Sequence, residues 1–405
     1  MRRAQGVRLA QTAFISARPG VKSPKTGQYD AAFMSQTSIR MSPAERERPT
    51  YMHALRPSVY FVSRKWPPAM GGMETYSLRL SQELKQHADV ETMVLPGNPD
   101  GSTPGLGALV SFGLRTAARL LFAKPAQVVQ IADMASWPLG LVAKLRSPRS
   151  RIVLTAHGTD VSYSFGPKLR QKLYRFYMRA CALCFARSVV ICNSDATCDM
   201  VRALGFAQPR RVVLGSDIGF QAPEGATNRI LFAGRLIPGK GCRWFVENVL
   251  PQLPDGIELD VAGTCNDPQE SRVLDHPRVN FLGNLPHEAL ARKFAEALCV
   301  IVPNIDPDGP ERPAFEGFGL VAVEAASAGG VVLAADHSGL RDAVIDGKTG
   351  FHLPSGDAQT WIAKVNEVIA WSTEERTRFK RHASEQAQAH YNWARVAQET
   401  FDAYG

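Results

Sequence analysis

No uncharged apolar run in this 405-residue chain reaches the roughly 18 to 20 residues that a membrane-spanning helix requires, since Asp133, Glu324 and Asp336 interrupt the three most apolar stretches. A helical integral membrane protein is excluded. Paired cysteine spacing is missing too. The seven cysteines stand at 181, 184, 192, 198, 242, 265 and 299, an odd number with no disulfide framework, which fits a reducing compartment and a cytoplasmic location. Cys181 and Cys184 form a C-x-x-C inside a helical pattern with no second pair, so they read as buried structural thiols and not as zinc ligands or a redox couple. Aromatic residues suited to base stacking are sparse in the basic half, so nucleic acid is not expected as a partner. No G-x-G-x-x-G is present to indicate NAD.

What is present is a chain long enough for two ordinary domains, 45% hydrophobic and 21% charged. The net charge of +9 divides unevenly. Residues 1–51 carry +6, residues 52–220 carry +11 and residues 221–405 carry −8. A basic half suits an anionic substrate or an anionic membrane surface, and charge alone does not choose between them.

Residues 1–51 are rich in Arg, Ser, Gln, Pro and Ala with no sustained periodicity, which predicts a disordered basic tail. They resemble a transit peptide in their Arg2, Arg3, Arg8 and Arg18 but lack the apolar core of a secretory signal. An overlong start, with Met41 or Met52 as the true beginning, accounts for them equally well. From residue 52 to 215 strands at Val59–Val62, Val90–Leu95, Val128–Ile131, Ile152–Thr155 and Ser188–Asn193 alternate with helical stretches, the first from Thr75 to about His87. A Gly, Ser, Pro and Ala stretch over 216–226 reads as a linker. A second series over 227–390 has strands at Ile230–Ala233, Glu258–Ala262, Val279–Leu282, Cys299–Val302 and Val331–Ala334. Residues 391–405 read as a helix packing back on the first domain. The fold class is α/β: two doubly wound, Rossmann-like domains facing each other across a ligand cleft.

Four stretches carry candidate chemistry. In Phe315–Ala326, Gly317 and Gly319 allow a tight loop before a helix whose first amides lack internal partners and suit a diphosphate. Glu316 and Glu324 bracket that start and would accept hydrogen bonds from sugar hydroxyls; a dipole-favoured Glu and a solvated Glu are the bland equivalents. In Phe232–Gly241, Arg235 offers a planar fork and Lys240 a point charge for phosphate oxygens, against two surface cations on a turn. In Leu154–Asp160, His157 follows a parallel strand and can meet a substrate hydroxyl, with Asp160 placed to orient it or the backbone. Gly71 and Gly72, after the first strand, let the backbone approach a ligand closely.

In this order these stretches resemble glycosyltransferase family 4, the retaining nucleotide-sugar enzymes of GT-B fold, over about residues 57–400. The most specific element is the Glu-x7-Glu of EGFGLVAVEA, supported by AGRLIPGKG at 233–241 and HGTD at 157–160. The resemblance implies that Arg235 and Lys240 hold the donor diphosphate. It implies that Glu316 and the Gly317, Phe318, Gly319 and Leu320 amides meet the donor sugar and phosphates, and that Glu324 binds the ribose. It places His157 near the reaction centre, Gly71–Gly72 over the phosphates, and Leu282–Gly283 against the base. The chain departs from the family pattern at Leu214–Asp217, at Ala328–Val331 and in the loop Asp306–Arg312, which bears on donor choice and loop geometry.

The implied reaction moves a hexose from GDP-mannose or a UDP-hexose to a glycan or lipid-linked acceptor, in cell-surface polysaccharide or glycolipid assembly. Retention by front-face attack is likewise implied by the resemblance. Cations and helix amides at the phosphate stabilise the charge that develops on the leaving group, so no cofactor and no metal is expected. Asp306 and Asp308 imitate a D-x-D but lie in a Pro-rich loop. Lys168, Arg170, Lys172, Arg175 and Arg179, interleaved with Leu169, Leu173, Phe176 and Tyr177, mark a helix that suits the cytoplasmic face of an anionic membrane. The rival readings are a GT-B sugar-nucleotide epimerase or phosphorylase, and a non-catalytic nucleotide-sugar-binding protein.

Overall fold

A computed structural model describes residues 56–69, 71–98, 102–222, 225, 227–265, 267–306 and 314–405. The tail expected over 1–51 lies outside the described residues. The first lobe runs β1 (Ser58–Trp66), α1 (Gly72–Glu83), β2 (Asp89–Pro96), α2 (Leu106–Phe122), β3 (Val128–Ile131), α3 (Pro138–Arg146), β4 (Arg151–Ala156), α4 (Thr159–Ser162), α5 (Leu169–Phe185), β5 (Val189–Cys192), α6 (Asp195–Leu204) and β6 (Gln208–Arg211). The second runs β7 (Arg229–Ala233), α7 (Cys242–Asn248), β8 (Glu258–Ala262), β9 (Val279–Gly283), α8 (His287–Glu296), β10 (Val300–Val302), α9 (Leu320–Ala328), β11 (Val332–Ala335), α10 (Leu340–Ala343), β12 (Gly350–Leu353), α11 (Ala358–Ala370), α12 (Thr373–His390) and α13 (Trp393–Asp402).

Each lobe is a six-stranded parallel sheet, ordered β2-β1-β3-β4-β5-β6 in the first and β12-β11-β10-β7-β8-β9 in the second. The strand order reverses between β1 and β3, and again between β7 and β10. At such switch points the loops from the carboxyl ends of neighbouring strands diverge and leave a crevice for a ligand. The five strands expected in each lobe are present, and each sheet gains a sixth, β6 and β12. The first helix starts at Gly72, three residues before the expected Thr75, because Gly71 O already accepts from Thr75 N at 3.0 Å.

β1 is buried on both faces from Val59 to Ser63, as a central strand is. Val59 and Phe61 enter one core with Tyr76 and Leu80 of α1 and with Leu84 just after it, while Tyr60 and Val62 enter a second core with residues of α2, α3, α5 and α6. The first core continues through α13 into the second lobe, so the lobes share one apolar interior. The last helix lies against α1, with Trp393 6.4 Å from Tyr76, and the Tyr404 hydroxyl donates to Gln130 inside the first lobe.

Helices α2, α3 and α5 form a layer on the outer face of the first sheet, and their solvent side is unusual. Leu106, Val110, Leu114 and Phe122 of α2, Leu145 of α3, and Leu169, Leu173, Phe176 and Leu183 of α5 are all more than half exposed. Residues 102–187 hold thirteen Lys and Arg against two acids, Asp133 and Asp160, and Asp133 is buried. Two residues of the expected α5 face turn inward instead. Arg175 donates to the Ser164 carbonyl at 2.7 Å and lies over the Phe165 ring, and Tyr177 donates to the Ala135 carbonyl at 2.7 Å. Of the C-x-x-C pair, Cys181 is buried as expected but Cys184 is exposed, since a three-residue step on a helix that buries only one stripe carries it to the rim. No described helix is long and apolar enough to cross a membrane.

Candidate active site

The reversal of strand order in the second sheet brings two loops together, residues 234–241 after β7 and 303–306 after β10. They are joined directly, Ile305 N donating to the Gly239 carbonyl at 3.3 Å. Lys240 on the first loop and Asn304 on the second both reach Glu316, which precedes α9. The ammonium forms an ion pair with the carboxylate, and the Asn304 amide donates to the same oxygen at 3.2 Å. Burial alone would raise the Glu316 carboxyl. The Lys240 charge, the Asn304 amide and the Phe318 N–H outweigh it and hold the group below its ordinary value, so it is a carboxylate at neutral pH.

Phe318 therefore brings its amide to Glu316, while its ring is buried against Tyr391 at 6.2 Å. Gly319 caps α9 in the left-handed region, φ 98°, and half-buried Leu320 opens the helix. Glu324, one turn further on, is half-buried and has no hydrogen-bond partner among the described residues. Burial, and then the charge of Asp217, push its carboxyl up to about 7. Arg235 is exposed and likewise unpartnered among the described residues, which leaves its guanidinium open to an anion. Leu282 is half-buried at the end of β9, and the Gly283 carbonyl accepts from Gly263 N at 2.7 Å beside the loop that follows β8.

The opposite wall begins where β4 ends. His157 is buried; its Nε2 lies 2.8 Å from the Ala132 carbonyl, so that nitrogen carries the proton and donates. The ring packs edge-on against Tyr76 at 4.7 Å. Asp160 serves the backbone and not the imidazole, accepting from His157 N at 2.9 Å and Met134 N at 3.2 Å. Burial raises its carboxyl above the ordinary value, with His157 acting against that.

The two walls touch. A Cβ on Gly317 would stand 2.1 Å from the His157 carbonyl oxygen, and one on Gly158 would stand 2.5 Å from Gly317 Cα. Only residues without side chains fit at this crossing, which sets the His157 backbone against Gly317, the residue that follows Glu316. The structure thus brings 157, 240, 316 and 317 together, with Arg235 on the Lys240 loop. Gly71 and Gly72 make no such contact with the second lobe. No second-lobe atom lies within 4 Å of a Cβ built on either, and the nearest group is the Glu74 carboxylate, itself 3.3 Å from the Lys65 ammonium.

Several participants lie outside the four sequence stretches. Asn193 after β5 donates to the His157 carbonyl at 3.1 Å, and Thr197 donates to Asn193 at 2.9 Å. Asn304 was missed although it follows a strand at a switch point, the one signal that could have found it. Asp306 accepts from His337 and from Ala314 N, each at 2.8 Å; Asp308 lies outside the described residues. Among the described residues no cluster of three or more His, Cys, Asp or Glu is arranged to hold a metal ion.

Family models described as Glycosyltransferase Family 4 and as Glycosyl transferases group 1 match residues 70–214 and 227–370, one on each lobe. The chain belongs to this glycosyltransferase family, in its two-lobed GT-B fold. D-inositol 3-phosphate glycosyltransferase of a Nocardioides species is 28% identical over 257 residues, 54% of this chain and 54% of that protein. The chain thus spans about half the length of that curated relative. Alpha-maltose-1-phosphate synthase of Mycolicibacterium smegmatis is 21% identical over 390 residues, 85% of this chain and 98% of that protein. Among solved structures, Anabaena HepE in complex with UDP and glucose superposes with a TM-score of 0.66 at 19% identity, covering 85% of this chain and 98% of that one. That likeness concerns the fold.

Proposed function

We propose that the chain is a retaining glycosyltransferase that moves a hexose from a nucleoside-diphosphate sugar, GDP-mannose or a UDP-hexose, to a glycan or lipid-linked acceptor. The single observation that carries this reading is the chain of contacts from Lys240 through Glu316 and Gly317 to His157, which joins the two lobes at the switch-point crevice. Lys240 and Arg235 neutralise the diphosphate as the sugar–phosphate bond breaks, and the acceptor oxygen forms its bond to the anomeric carbon as its proton passes to the leaving phosphate. Glu316 fixes the sugar, Glu324 the ribose, and the His157 wall closes over both and excludes water. The relatives named above are consistent with a nucleotide-sugar donor.

In this reading the acceptor is presented at the cytoplasmic face of an anionic membrane, in cell-surface polysaccharide or glycolipid assembly. The basic and apolar outer layer of α2, α3 and α5 supports that placement. A panel of nucleotide sugars scored by thermal shift tests the reading, since a bound donor raises the melting temperature in step with its occupancy. GDP-mannose or a UDP-hexose is expected to stabilise the wild type and to be consumed by it with a glycoside product, and Glu316→Ala to abolish consumption. Full turnover in Glu316→Ala, or an epimer as product, would overturn it.

A further inference from the structure

Three loops meet around the Glu316 backbone, and a short hydrogen-bonded relay ties them. Asp306, at the end of the loop after β10, accepts from His337 Nε2 and from the Ala314 amide through one oxygen, each at 2.8 Å. His337 Nδ1 accepts from the Ser338 hydroxyl at 2.9 Å. Gly339 N then donates to the Glu316 carbonyl at 3.0 Å, and the Gly339 backbone lies so close that a Cβ there would stand 2.2 Å from the Gly317 oxygen.

Ser338 has φ 45°, the one non-glycine in the left-handed region among the described residues. A side chain there is strained, and such strain persists only where the surroundings fix the conformation. Here the surroundings are the His337 ring, nine-tenths buried, and the Gly339–Gly317 contact. Glycine would adopt this φ without strain, yet the position carries a serine whose hydroxyl donates to His337.

We propose that His337 is a positioning residue for Glu316. Held between Asp306 and Ser338, its ring fixes the segment whose Gly339 amide fixes the Glu316 backbone, so that the carboxylate meets the sugar in one geometry. The inference deepens the transferase reading and rests on it for its catalytic consequence, while the positioning itself can be read without any donor.

Ser338→Gly is the informative variant, because it removes the hydroxyl and relieves the strain together. The expected result is an unchanged or raised Tm, with amides of 314–319 exchanging about tenfold faster by hydrogen–deuterium exchange. With UDP-glucose and GDP-mannose as donors, kcat is expected to fall about tenfold while KM changes less than about twofold. His337→Gln is expected to act in the same direction. Wild-type exchange and kcat in Ser338→Gly would overturn the proposal, and so would a fall in kcat that only follows a collapse of Tm. If the wild type consumed neither donor while exchange changed as expected, the transferase reading would fail and the positioning of Glu316 would stand.

Discussion

Glu316 and Glu324 lie on one short helix and its approach, yet their environments push their carboxyls in opposite directions. Glu316 is held ionised by Lys240, Asn304 and Phe318 N–H, whereas Glu324 has no such partners and is pushed up to about 7 by burial and by Asp217. The consequence for stability has a definite sign. Below the ordinary value of 4.5 the group is neutral in both states and costs nothing; between 4.5 and about 7 the folded state holds the proton that the unfolded chain has lost. Stability therefore falls as pH rises through that window and levels off above it, by up to about 3 kcal/mol. Thermal melts of the wild type and Glu324→Gln from pH 5 to pH 8 are expected to diverge, the variant gaining on the wild type as pH rises. Parallel curves would refute the assignment. Both glutamates, with Lys240 and His157, were legible in the sequence because each sits in a motif of fixed spacing beside a strand. Asn193, Asn304 and His337 were not, since each stands one or two residues past a strand, outside any motif of fixed spacing, and draws its meaning from a partner 12 to 36 residues away.

Among elements, the ones the sequence concealed are two of the four edge strands and the outer layer. Strands β6, Gln-Pro-Arg-Arg, and β12, Gly-Phe-His-Leu, are edge strands of only four residues each and carry too few apolar residues to show a period. Central strands such as β3 are buried throughout and read plainly. Helix α2 misleads in the opposite way. It is apolar on both sides, burying Phe112, Thr116 and Leu120 while exposing Leu106, Val110 and Leu114, so its composition reads as core although half of it faces solvent. The sequence drew attention to α5 by its charges; the structure adds α2 and α3 to the same face. Large exposed apolar side chains among cations that far outnumber the acids match a bilayer with acidic headgroups better than they match a nucleic acid, which would have no use for leucine. Co-sedimentation with vesicles of phosphatidylcholine containing about one-third phosphatidylglycerol is expected to retain the wild type and to weaken in salt. Val110→Glu combined with Leu114→Glu should release it even at low salt, and Lys168→Ala with Lys172→Ala should weaken binding at low salt and flatten its salt dependence. Equal binding to neutral vesicles and to variants would remove this face as the docking surface. A dimer that the α2 substitutions dissolve would assign the face to a second copy instead.

For the molecule as a whole, the question is whether two lobes built on separate sheets behave as one body. Their polar joints are few and specific. Asp342 on α10 accepts from the Asp195 amide at 2.9 Å and from Arg211 at 2.6 Å, both in the first lobe, while Arg395 donates to the Val213 carbonyl at 2.8 Å. The apolar joint is larger. Trp393 is buried between Tyr76 of α1 and the Gly215 backbone, where a Cβ on that glycine would stand 2.8 Å from Trp393 N, and Tyr404 reaches the Gln130–Tyr76–Thr155 cluster inside the first sheet. Because one core runs through α13 from lobe to lobe, unfolding either lobe strips cover from the other. The wild type is therefore expected to melt in a single transition, and a nucleoside diphosphate bound in the second lobe should raise that transition for the entire chain. Trp393→Ala removes the largest side chain at the joint and should cost about 3 to 5 kcal/mol; Tyr404→Phe leaves Gln130 without its donor and should cost about 1 to 3 kcal/mol. In the combined variant, calorimetry is expected to resolve two transitions, of which UDP or GDP raises only the one belonging to the second lobe. A single ligand-responsive transition in that variant would show that the loops crossing at Gly317 and Gly158, and not α13, bind the lobes into one cooperative unit.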